Sequence, residues 1–136
     1  MEIAIYCKGD RTYHYSSELP RTLQNFVYYN FSTGTVSGQD FKSFSTKYKN
    51  ALKKLLPEGF SIHKWYQNHY FISAVLRNQE GQYIYLSIPD VRYWEGEWYS
   101  NILIRMMKSE NDCTGGLNHY TTLFTLANDL KKLCRD

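Results

Sequence analysis

The chain has 136 residues, 17% of them aromatic and 13 of them tyrosine, with a formal net charge of +3. That length supports one α+β-sized domain with a single core and excludes a second domain of comparable size. The mild positive charge tolerates polyanions without marking a strongly basic nucleic-acid binder, and Cys7, Cys113 and Cys134, without a C-x-x-C pair, fit a reducing compartment rather than a disulfide framework.

Glu2 to Cys7 is a short β-prone run, and Lys8-Gly9-Asp10 supplies turn chemistry before Thr12 to Tyr15, so a hairpin is expected there. Glu2 stands where a signal peptide would be basic, and no apolar run reaches membrane-spanning length. The expected setting is the cytoplasm, with no membrane partner. Ser17 is placed to cap a helix with Pro20 in its first turn and Leu19, Leu23, Phe26 and Val27 at helical spacing. A polar, glycine-bearing loop follows.

Ser37-x-x-Asp40 resembles a capping box and opens the best helix of the chain, with Phe41, Phe44, Tyr48, Leu52 and Leu55 on one face. Lys42, Lys49 and Lys53 form a stripe away from that face, and Pro57 and Gly59 stop the helix. From Phe60 the period changes to two. Phe60 to Tyr66, Tyr70 to Arg77, Tyr83 to Ile88 and Tyr99 to Met107 are four strand candidates, joined through Gln67-Asn68, Asn78 to Gly81 and a tryptophan-bearing segment around Gly96. Such short connections force antiparallel neighbours. Leu123, Leu126, Leu130 and Leu133 then step along a final helix with Thr121 or Thr122 as its cap. The expected architecture is α+β: a single domain over residues 1–136 with a four-stranded antiparallel meander and two or three helices on one face.

Three segments carry candidate chemistry. The loop before the last helix holds Gly115-Gly116, but Leu117 follows where a phosphate loop would place a lysine, and the spacing departs from the phosphate-binding pattern. The favoured reading is a structural turn in which Asp112, Thr114 and Asn118 bond the loop backbone; a ligand cradle stays open as the alternative. His14, His63, His69 and His119 have no zinc-site spacing, so neither metal nor cofactor is expected. His63 and His69 flank the expected Gln67-Asn68 turn, and their approach across it would be the minimum for a small metal-independent ribonuclease, with Arg92 as a third group.

The stretch Ser87 to Met107 is the densest in recognition side chains, with Arg92, Trp94, Trp98, Tyr99 and Arg105, and Trp65 and Tyr66 are expected nearby. Those seven residues form the candidate interface. The alternative, that the tryptophans fill the core or cover the sheet edge, stays open.

"LKKLLPEGF", "YIYLSIPDVRYW" and "WYSNILIRMMKSENDCTGGLNHYTTL" together resemble a family of small proteins carried by phages and conjugative elements of Gram-positive bacteria, over Leu52 to Leu133. Arg105, Lys108, Asp112, Thr114, Gly115, Gly116 and Asn118 match its pattern; Met106, Met107 and Cys113 depart from it. The resemblance implies a mobile-element setting in a bacterial host cell, where small proteins include anti-CRISPR inhibitors of host defence. The expected function is therefore non-enzymatic binding to a host protein or nucleoprotein complex. A nucleic-acid-binding module in element maintenance or transfer, binding weakly through the helix lysines and stacked tyrosines, is the alternative, and a homodimer is compatible with either.

Overall fold

A computed structural model describes residues 4–7, 12–18, 38–68, 71–88, 102–112 and 114–135. The expected hairpin is present: β1 (Ala4–Cys7) pairs antiparallel with β2 (Thr12–Tyr15), and Tyr13 and Tyr15 are exposed on it. A 3-10 turn, Ser16–Glu18, follows, closed by the Tyr15 amide donating to Glu18 Oε2 at 3.1 Å. The helix expected around Leu19 to Val27, and Ser37 of the capping box, lie outside the described residues.

The main sheet has five strands rather than four: β3 (Ser61–Asn68), β4 (Phe71–Arg77), β5 (Tyr83–Ile88), β6 (Ile102–Met106) and β7 (His119–Thr121). They follow one another in space as in sequence, each antiparallel to the next, so the expected meander holds with one strand added. The added strand, β7, lies inside what the sequence presents as one loop. At three residues it is too short to show an alternating pattern. The β3–β4 turn also moves. Asn68 pairs with Phe71, so Gln67 and Asn68 belong to the strand and the reversal falls beyond them.

Alternation sorts the sheet into two faces. Ile72, Ala74, Leu76, Ile84, Leu86, Ile88, Ile102 and Ile104 point inward and are fully or almost fully buried. Against them pack α1 (Gly38–Leu55), through Tyr48, Ala51 and Leu52, and α2 (Leu126–Arg135), through Leu126, Leu130 and Leu133. α1 lies against β3 and α2 against β6, so both helices cover the same face. Burial pushes the Tyr48 phenol far above its ordinary range, which keeps it neutral inside the core.

α2 begins at Leu126, three residues later than the leucine spacing suggests. Thr121 is committed to β7, and Thr122 Oγ1 accepts from the amides of Phe124 and Thr125 at 3.1 Å each, capping the turn that leads into the helix. The buried Thr121 hydroxyl donates to Asp129 Oδ2 at 2.6 Å, tying the strand to the first turn of the helix.

β3 departs from strict alternation. Its apolar residues are Ile62 and Trp65, an odd separation that a regular strand would place on opposite faces. The register shifts between Ile62, opposite Leu76, and Lys64, opposite Val75, leaving His63 as the extra residue of a bulge. Both Ile62 and Trp65 then pack on the core, and His63 and Lys64 are both exposed. Trp65 stands against Tyr48 with ring centroids 6.2 Å apart, and its Nε1 donates to Ser45 Oγ on α1 at 2.8 Å.

Trp65→Ala is expected to lower unfolding stability by about 3 kcal/mol, the low end for an aromatic truncation because the ring is only half-buried. Ser45→Ala should cost about 1 kcal/mol. Denaturant unfolding measures both, and a Trp65→Ala variant as stable as wild type would remove the ring from the helix–sheet packing.

Candidate functional site

The face of the sheet away from α1 and α2 is polar and aromatic. The registers align Tyr66, Ser73, Ser87, Leu103 and Tyr120 in one row across all five strands. The next row holds Lys64, Val75, Tyr85 and Arg105. Tyr66 and Tyr120, on the two edge strands, remain 41% and 55% exposed. The middle of this face is closed: Ser73 is fully buried and shares a 2.8 Å hydrogen bond with the Tyr85 hydroxyl, and Val75 is 3% exposed.

The residues after β6 fold back across this face as far as β3. Glu110 Oε2 lies 2.9 Å from His63 Nε2, and Lys64 Nζ donates to Asn111 Oδ1 at 2.6 Å. The two adjacent side chains that the bulge exposes thus clasp two adjacent loop residues. The His63 ring also leans on Tyr83 at 5.2 Å, beneath which the Arg77 guanidinium lies 5.9 Å from the ring centroid. Between clasp and sheet is a small cavity of about 150 Å³ lined by Lys64, Tyr66, Val75, Met107, Glu110 and Asn111.

The glycine loop is built as a turn. Lys108 N donates to Asp112 O at 3.0 Å and Asp112 N to Ser109 O at 3.2 Å. Asp112 Oδ1 accepts from the Thr114 hydroxyl at 2.5 Å and the Thr114 amide at 3.0 Å, as the structural reading expects. Asn118 does something else: its Oδ1 accepts from Arg105 through Nε, at 2.7 Å, and through Nη2. Arg105 is thereby fixed at the sheet surface. Gly115 has φ of +93°, and a Cβ on Gly116 would collide with the Met106 carbonyl oxygen and Arg105 Cγ. One glycine serves the turn and the other a close approach of backbone to β6.

The structure divides the seven candidate interface residues. Tyr66 and Arg105 lie on the outer face, whereas Trp65, next to Tyr66, points to α1, as neighbours along a strand must. Arg92, Trp94, Trp98 and Tyr99 lie outside the described residues. The flanking Ile88 belongs to the same end of the sheet as the β3–β4 reversal, because it pairs with Ile72. Tyr120 was not singled out by the sequence; its register opposite Leu103 is what brings it to this face. Lys42 and Lys53 are exposed on α1, which packs on the face of the sheet opposite Tyr66 and Tyr120.

His63 meets Glu110, and His69 lies outside the described residues. Among the described residues no three His, Cys, Asp or Glu side chains converge as a metal-sized cluster. Behind the sheet, a wide groove of about 590 Å³ runs between the end of α2 and the β4–β5 turn, lined in part by Phe60, Asn78, Lys131 and Cys134. Burial pushes the Cys134 thiol up and so disfavours its thiolate. Among the described residues no helix is long and apolar enough to cross a membrane. Comparisons with family models, with curated proteins and with solved structures find no match.

Gly115→Ala is expected to cost about 1 kcal/mol, since only the mobile end of Lys108 must move beyond the strained φ. Gly116→Ala should cost more, roughly 2 kcal/mol, because backbone must shift. Melting curves of the pair give the ordering. Hydrogen bonds from the Thr114 hydroxyl and then its amide hold the Asp112 carboxyl below the usual range, so its contribution exists above the unfolded-state value and vanishes as pH falls through the folded one. Wild type should therefore lose more stability than Asp112→Asn on acidification through the carboxylate range, as acid titrations of both would register.

Proposed function

We propose that this chain is a non-enzymatic binding protein that docks a host protein or nucleoprotein complex through the outer face of its five-stranded sheet. The observation that carries the reading is the pair Tyr66 and Tyr120, exposed on the edge strands of the face opposite α1 and α2. Tyrosine combines a large flat contact area with few rotatable bonds, so fixing it on binding costs little entropy. Arg105, fastened by Asn118, adds a pre-oriented cation to the same face. Arg92, Trp94, Trp98 and Tyr99 extend the proposed interface from the connection between β5 and β6.

Docking is assigned to the face rather than to strand addition at the β3 edge. The bulge at His63 and the lysine beside it are devices that hinder pairing of another strand there. The resemblance over Leu52 to Leu133 gives the proposal its concrete form, a counter-defence inhibitor of a mobile element, of the anti-CRISPR kind, acting in the cytoplasm of a bacterial host.

Pull-down of the full chain from a bacterial host lysate tests the interface. Tyr66→Ala, Tyr120→Ala, Arg92→Ala, Trp94→Ala and Trp98→Ala should leave the melting temperature nearly unchanged, and at least one should weaken partner binding by about 2 kcal/mol, roughly a thirty-fold loss. Retention of the partner at wild-type strength by all five variants would place the interface elsewhere.

A further inference from the structure

We infer that the groove between the end of α2 and the β4–β5 turn is a small-molecule site for a guanine nucleotide, separate from the docking face and independent of it. The groove encloses about 590 Å³, within the roughly 300 to 1,000 Å³ that ligand sites occupy. Lys131 and Arg135 are four residues apart on α2, so both stand on one side of the helix and line one wall. Glu80 lines the other wall, in the β4–β5 turn. All three side chains are exposed, and among the described residues none of them makes an ion pair. Opposite charges that share a groove without closing it suit a ligand that keeps them apart, with an anionic group for the two cations and hydrogen-bond donors for the carboxylate.

Gln82 narrows the class of that ligand. The Asn78 side chain, 5% exposed, accepts at Oδ1 from the Gln82 amide at 2.8 Å. That main-chain donor fixes which arm of Asn78 is oxygen, so its Nδ2 donates to Gln82 Oε1 at 2.7 Å. The Gln82 carboxamide therefore has its oxygen engaged and its NH2 left to donate, two residues from Glu80. The turn wall thus presents the two acceptor oxygens of a carboxylate beside an amide donor. Among the nucleobases only guanine is the complement, with N1–H and N2–H side by side for Glu80 and O6 for Gln82. A ligand ammonium would satisfy Glu80 and leave the Gln82 donor unmet. Phe60, partly buried in the same lining, offers an apolar surface to the base, and Lys131 and Arg135 take the phosphate. The bonds between Asn78 and Gln82 hold the reading edge in place before the nucleotide arrives, so little ordering is lost on binding.

The test is calorimetric titration of the full chain with the nucleoside monophosphates of guanine, adenine, cytosine and uracil, and with inorganic phosphate alone. The guanine nucleotide should bind about 5- to 100-fold more tightly than the other three, and inorganic phosphate more weakly than any of them. Glu80→Gln should abolish the preference for guanine. Lys131→Gln combined with Arg135→Gln should weaken the guanine nucleotide by about 10-fold or more, whereas Lys132→Gln, exposed on α2 but outside the groove lining, should leave its affinity unchanged. Every substituted side chain is exposed, so the melting temperatures should stay together. Cys134 also lines the groove, and saturating guanine nucleotide should slow its alkylation, read by peptide mass. No binding of the guanine nucleotide at millimolar concentration, equal affinity for all four nucleotides, or inorganic phosphate bound as tightly as the nucleotide overturns the inference. A guanine preference that survives Glu80→Gln, or Cys134 alkylated at its unliganded rate under saturating nucleotide, overturns it as well.

Discussion

The single extra residue at His63 sets the arrangement of both faces of the sheet. Without it, Ile62 and Trp65 would lie on opposite faces, and one of them would leave the core. With it, the tryptophan reaches α1, where its indole N–H finds the Ser45 hydroxyl and its ring meets Tyr48. A buried indole without such a partner would carry the cost of an unmet donor. The same local twist exposes two successive side chains on the outer face, and those two hold the loop that returns from β6. Helix packing and loop placement are therefore coupled through one irregularity in an edge strand.

The loop needs that anchor because it is long and mostly polar. Its internal hydrogen bonds, from Lys108 to Asp112 and from Thr114 to Asp112, give it a local shape but do not attach it to the sheet. Among the described residues, attachment includes the Met107 amide donating to the Tyr83 carbonyl, the clasp at His63 and Lys64, the Arg105–Asn118 contact, and the close approach of Gly116 to the Met106 carbonyl. An exposed ion pair or amide contact contributes little alone. The close backbone approach adds what they lack, since it tolerates no side chain and so fixes where the loop crosses β6. The second glycine of the pair thus serves backbone proximity.

Much of this was legible in the sequence where the pattern is long. The heptad-like face of α1, the leucine steps of α2 and the alternation of Tyr83 to Ile88 each repeat often enough to fix period and face. The parts that were not legible depend on neighbours. β7 has three residues, and only pairing to Ile102, Leu103 and Ile104 makes it a strand. The extension of β3 through Gln67 and Asn68 rests on partners in β4, since both residues are ordinary turn formers. The odd gap between Ile62 and Trp65 was visible, yet nothing short of the register says whether such a gap is a bulge or an edge residue turned outward. Tyr120 shows the same dependence, because its face follows from Leu103 and not from its own sequence surroundings.

The two faces of the sheet also differ in what an added contact would gain. On the inner face the aliphatic side chains are already withdrawn from water, so further association there has no apolar area to bury. On the outer face the centre is closed by Ser73, Val75 and Tyr85, and the exposed rings stand at its two edges. A closed polar centre cannot act as a hydrophobic pocket. Binding at such a surface must draw on ring faces and charges spread across the strands, and the rigidity of five hydrogen-bonded strands keeps those groups in position before a partner arrives.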